Sequence, residues 1–366
     1  MLRQSAAVGP GSHAWAVSAP PLAGQCVIER GNADKAGRPQ LLPGQESQMS
    51  TRLNESVCAS PPPAAKLHTD PTQTVDLCDP HAVATAIDAV MRDRFGSAYG
   101  LPLLEQGISD LARAFRGGYP GLLRCDTHYH DLRHAFDSGL AMARLVRGQS
   151  IATPREAPEH LDAEHALLGV LLALYHDIGL LRRTHEANLQ GAQLTPIHEA
   201  RGVEFMRDYL GRTSLAHLAQ KAELIMVTRL VWHMPPDIPA RDRAIASLLG
   251  TADIVSQLSD RDYLEKCRDF LFAEFSTFGL AGAPGLPYPD AKTLLEKTPG
   301  FYTDLLRRRM EVEYDGADGF LKIHFGGECP YDAAIKRSLG YLTAVLAAGD
   351  LSLLRRVPMR IIDAKQ

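Results

Sequence analysis

Residues 167–180, LLGVLLALYHDIGL, constrain the fold more than any other part of the chain. From Leu167 to Tyr175 the run is apolar on every side, and a helix with no polar face is a buried one. It is too short to span a bilayer, which takes about 20 apolar residues. The run ends in His176-Asp177, with Gly179 just beyond as a helix stop. An ionisable pair at the end of a buried helix is costly unless something pairs with it. A metal ion does this well, because neutral imidazole and carboxylate are both first-row metal ligands. A lone HD dipeptide is more often a terminal histidine beside a capping aspartate, so the decision falls to the other histidines.

The composition narrows the classes. The chain has 366 residues, a net charge of -4, 45% hydrophobic and 22% charged residues, which are ordinary globular values. There is no basic excess to suggest a nucleic-acid partner, and no segment apolar enough for a membrane. The six cysteines are scattered without a CxxC pair, which argues against a zinc ribbon or a disulfide framework and fits a reducing cytoplasm. Residues 1–75 hold one aromatic residue, Trp15, and nine of the 24 prolines, so they are expected to be a disordered tail. Met49 is a candidate start, since nothing before it looks foldable. A helical domain over 76–350 and a C-terminal tail over 351–366 complete the expected division.

Within the domain, the pattern predicts helices throughout and no sheet, an all-α fold. Asp79-Pro80 reads as a helix start, and helices follow over 79–94 and 102–116. In THYHDLRHAFDSGL, His130 and His134 are four apart and share a helix face. Residues 148–160 read as a loop, followed by the helix that carries His176-Asp177. His165 lies about 16 Å from His176 along that helix, too far to share an ion. A polar loop over 181–195 contains Arg182, Arg183 and His185. His198 opens the next helix, and His233 ends another over 218–232, just before Pro235-Pro236. Asp253 stands alone among apolar residues in a helix over 241–258 and needs a partner. Further helices are expected over 291–311 and 331–349, and FLKIHF (320–325) reads as one short strand.

The chemistry-bearing order is thus His134, His176-Asp177, His198, His233 and Asp253. Four imidazoles and two carboxylates suffice for two divalent ions, with Asp177 bridging; such sites hydrolyse phosphate esters. On these residues the chain resembles the HD-domain superfamily of metal-dependent phosphohydrolases. YHDLRHAFDSGLAMA looks like the YHNxxHAxxV motif of cyclic-nucleotide phosphodiesterases, LYHDIG like the HD signature, and LLGTADIVSQLSDRDYLEK like their last metal-ligand helix. The resemblance covers about residues 80 to 270, or to 350 more loosely.

It implies a multi-helix bundle around a metal site. His134, His176, Asp177 and Asp253 would hold the tighter ion, and His198 and His233 would complete a second. The metals would be Mn, Fe, Zn, Mg or Ni. His130 matches the histidine that protonates the leaving oxygen. Asp131 stands where those enzymes have Asn, where it would orient His130 or mark a different substrate. Arg182 and Arg183 are candidates to take up phosphoryl charge, and His185 for a substrate contact. The expected partner is a small-molecule phosphoester; homo-oligomerisation is left open. Two rival readings share the ligands: an HD-type di-iron oxygenase and a non-catalytic HD module that binds a ligand.

Overall fold

The computed structural model describes residues 68–358. The expected disorder of 1–75 and the start at Met49 lie almost wholly outside them. Among the described residues the chain is all-α, and its β pairing is confined to isolated bridges such as Leu122 with Arg183. No helix among them is long and apolar enough to cross a membrane.

The helices are α1 (Pro80–Phe95), α2 (Leu101–Phe115), α3 (Leu132–Ala152), α4 (Ala163–Tyr175), α5 (His198–Leu210) and α6 (Ala240–Ser259). Short α7 (Tyr263–Lys266) and α8 (Phe272–Thr277) follow, then α9 (Ala291–Gly300), α10 (Gly319–Phe325) and α11 (Pro330–Ala348). Aspartate caps recur because a carboxylate satisfies the orphan amides of a first turn. Asp79 accepts from His81 N, Asp131 from His134 N, Asp162 from His165 N and Asp290 from Thr293 N.

The all-apolar run forms α4, in which every residue from Ala166 to Tyr175 is buried. It is packed by α2, α3, α5, α6 and the 3-10 helix Ala216–Thr228. That leaves its C-terminal end pointing into the protein, which places His176 and Asp177 in the interior at 2% and 3% exposure. Gly179 is not the helix stop. His176 caps α4, and Gly179 lies in the following 3-10 turn, where a Cβ would stand 1.9 Å from the carbonyl oxygen of His198. The glycine lets the start of α5 press against the end of α4.

Several boundaries differ from the sequence expectation. α3 continues through 148–152, and its Gly148 lets the Phe320 carbonyl approach to 2.0 Å from where a Cβ would be. FLKIHF is the helix α10 and not a strand: packed on α3, it buries Leu321 and half-buries Phe320, His324 and Phe325, a helical and not an alternating pattern. Order also extends past both ends of 76–350. Asp70 is buried and paired with Arg144 at 2.8 Å. At the other end Leu354 is buried, and its carbonyl accepts from Arg268 at 2.7 Å.

Candidate metal centre

Three helix ends and one helix middle converge. His134 lies in the first turn of α3, His176 and Asp177 at the end of α4, His198 at the start of α5, and Asp253 within α6. His134 Nε2 is 3.2 Å from His176 Nε2 and 3.3 Å from Asp253 Oδ1. His176 Nε2 lies 3.5 Å from the same Asp253 oxygen. Asp177 turns Oδ2 toward this group, 3.2 Å from His176 Nε2 and 3.5 Å from His134 Nε2. Its other oxygen, Oδ1, is 3.4 Å from His198 Nε2.

These distances match the edges of a coordination shell. Ligand bonds of about 2.0–2.2 Å put neighbouring donor atoms about 3.0–3.6 Å apart. The imidazole tautomers fit too. His176 Nδ1 is 2.8 Å from the Ala173 carbonyl and His198 Nδ1 is 2.6 Å from the Thr195 carbonyl. Each Nδ1–H therefore donates outward, leaving an Nε2 lone pair aimed at the centre. Asp177 Oδ2 is buried and makes no hydrogen bond. A buried carboxylate oxygen facing two imidazole nitrogens can be satisfied by a cation or by a proton on an imidazole. His134, His176 and Asp253 by themselves form a group able to hold one ion.

The groups polarise one another strongly. Burial opposes charge on His176, but Asp177 and Asp253 outweigh it and hold its pKa well above the ordinary value. Burial likewise opposes the Asp177 carboxylate, and His176 and His130 overcome it and hold its pKa well below the usual range. Asp253 is lowered in the same way, by His134 and His176 acting against burial.

His130 is not on the face of α3. It belongs to the turn before Asp131, whose extended backbone starts the helix. The turn still brings its ring within 6.3 Å of His134 and 6.5 Å of His198, centroid to centroid. Asp131 does not orient it, since its carboxylate caps α3. Glu274 does, a residue that sequence reasoning missed. Its Oε2 lies 2.8 Å from His130 Nδ1, and its Oε1 accepts from the backbone N–H of His128 and Tyr129 at 2.7 Å each. Burial lowers the His130 pKa, but Glu274 and Asp177 outweigh it and raise it to about 9. The signal for Glu274 was a lone acid among the phenylalanines of FLFAEFSTF. Its direction was hidden because Cys267–Leu271 is a π-helical turn, whose extra residue rotates α8 relative to a straight helix.

The remaining expected site residues stand apart. His233 is exposed, in a segment that follows the 3-10 helix and contains Pro235, Pro236 and Pro239. Arg182 is engaged by the Leu189 carbonyl at 2.9 Å and by Asp126 at 3.2 Å. Arg183 pairs with Glu204 at 2.6 Å, and the side chain of His185 is 72% exposed. These three brace or decorate the 181–195 loop, and the structure gives none of them a contact with the cluster.

A family model described as Npun_R2479-like matches residues 183–314. That span is under half of the chain. It includes His198, Asp253 and Glu274 but not His130, His134, His176 or Asp177. No curated protein and no solved structure matches the chain.

Proposed function

We propose that this chain is a metal-dependent phosphohydrolase of the HD type, acting on a small phosphomonoester or phosphodiester. The observation that carries the reading is His130. It stands beside the ligand cluster but outside it, with Nδ1 held by Glu274 and a pKa of about 9. An imidazolium so placed is a proton donor, a role that ligation by metal alone does not need.

His134, His176, Asp177 and Asp253 would hold one divalent ion, and His198 with the second oxygen of Asp177 would contribute to another. Bound there, such cations supply Lewis acidity, lowering the pKa of a water and neutralising phosphoryl charge. The protein's own part follows from its geometry. Asp177 reaches from the His134–His176 pair to His198 with its two oxygens. Glu274 accepts a hydrogen bond from His130 Nδ1–H and fixes the ring, so the Nε2 proton would be the one delivered to the departing alkoxide. Arg182, Arg183 and His185 have no part in this scheme.

The test is elemental analysis of the purified protein joined to a panel of phosphoesters. His130→Ala should keep the bound metal and the fold while losing about 10²–10⁴-fold of turnover. The loss should shrink with a nitrophenolate leaving group, which needs no proton. Oxygen-dependent activity with iron, or indifference to His130→Ala on a poor leaving group, would defeat the proposal in favour of an oxygenase or a binding module.

A further inference from the structure

Asp253 is the one candidate ligand in the middle of a helix, so no backbone end fixes its carboxylate. Gln257, one turn further along α6, does so: its Nε2 donates to Asp253 Oδ1, the same oxygen that faces His134 and His176. A carboxylate only accepts, so the amide nitrogen must point at Asp253 and the amide oxygen away. That oxygen accepts from the Tyr129 hydroxyl at 3.1 Å. Tyr129 is buried at 5% exposure, and its ring lies edge-on to His130 at 4.9 Å between centroids. Its backbone N–H donates to Glu274, the carboxylate that holds His130.

We propose that Gln257 and Tyr129 are positioning residues: Gln257 sets the Asp253 carboxylate for the metal, and Tyr129 sets Gln257 while tying it to the His130–Glu274 pair. The hydrogen bonds run without a break from His130 through Glu274, Tyr129 and Gln257 to Asp253. Burial holds the Tyr129 hydroxyl pKa well above its ordinary value, so it remains a donor. Tyr129, Gln257 and His134 also line a cavity with room for about one water. A shortened side chain at 257 would let water take over the bond to Asp253, so the informative substitution is one of similar volume.

The inference rests on the metal reading, and one experiment separates their failures. The full chain and its Gln257→Leu, Tyr129→Phe and doubly substituted forms are titrated with Mn²⁺ alone, by equilibrium dialysis and by the Mn²⁺ spin-resonance signal. Outer partners of metal ligands are worth about 10–100-fold in affinity, so Gln257→Leu should weaken Mn²⁺ binding by that factor. Tyr129→Phe, which removes one hydroxyl, should cost about fivefold. Because Tyr129 acts through Gln257, the double variant should bind no more weakly than Gln257→Leu alone, a non-additivity that two independent packing defects would not produce. Wild-type affinity in Gln257→Leu, or losses that add, overturns the proposal. If Gln257→Leu does not fold, an unchanged affinity in Tyr129→Phe overturns it alone. A wild-type chain that takes up no Mn²⁺ overturns the metal reading and this inference together.

Discussion

Glu274→Gln tests the proton donor with little disturbance to the fold. The amide is isosteric with the carboxyl, and its oxygen can still accept from the His128 and Tyr129 amides now bonded at 2.7 Å. What it loses is the negative charge 2.8 Å from His130 Nδ1, and with it the acceptor for the Nδ1–H, because the amide nitrogen that replaces Oε2 only donates. An opposite charge at such range is worth about 1–3 pKa units. His130 stands at about 9, so a loss of about 2 units would bring it near 7. The sign follows from the raised pKa: the imidazolium is present at low pH with or without Glu274, and it is lost as pH rises through the folded value. At about pH 8 the protonated fraction would fall from about 0.9 to about 0.1, a roughly tenfold loss of kcat/KM, while at about pH 6 the variant would be nearly as active as the parent. The assay is the pH profile of kcat/KM on a diester with a poor leaving group, with metal content measured in parallel. An alkaline limb at the same pH in both proteins would refute the assignment. A uniform drop at every pH would make Glu274 a structural residue only.

Asp177→Ala should remove the second ion and weaken the first by elemental analysis, because that carboxylate faces the His134–His176 pair with one oxygen and His198 with the other; two ions retained at the parent's affinity would show that it does not bridge. His233→Ala should leave the ion held by His134, His176 and Asp253 in place, since His233 is exposed; loss of all metal would place His233 in the centre. Gly179→Ala should lower the melting temperature and weaken metal binding together, because its Cβ would force the His198 carbonyl, and with it the start of α5, to move. Chelation should lower the melting temperature more as pH rises. Without a cation, the carboxylates rely on the imidazoliums of His176 and His198, whose raised pKa values mean that this stability is present at low pH and lost on deprotonation. A chelator shift independent of pH would contradict that coupling.

The sequence by itself determined the elements whose signal is local. The apolar run of α4 could only be a buried helix, and Asp79-Pro80 could only start one, because periodicity and capping act over a few residues. The local pattern also offered His134, His176, Asp177, His198, His233 and Asp253 as candidates, because an ionisable group in a buried helical setting needs a partner; the choice of His134, His176, Asp177 and Asp253 as one set came from the resemblance.

Tertiary structure decided what depends on where chains cross. Gly148 and Gly179 read as a break and a stop, yet each is a point where another backbone passes close, which no local pattern encodes. His233 shares its residue type with the ligands but follows a 3-10 helix into a proline-rich segment that leaves it in solvent. Glu274 is 144 residues from His130 in the chain, and a π turn sets its direction. A hydrogen bond across that separation exists only once α8 has met the turn before α3, because side chains so far apart in sequence meet through the fold and not through their spacing.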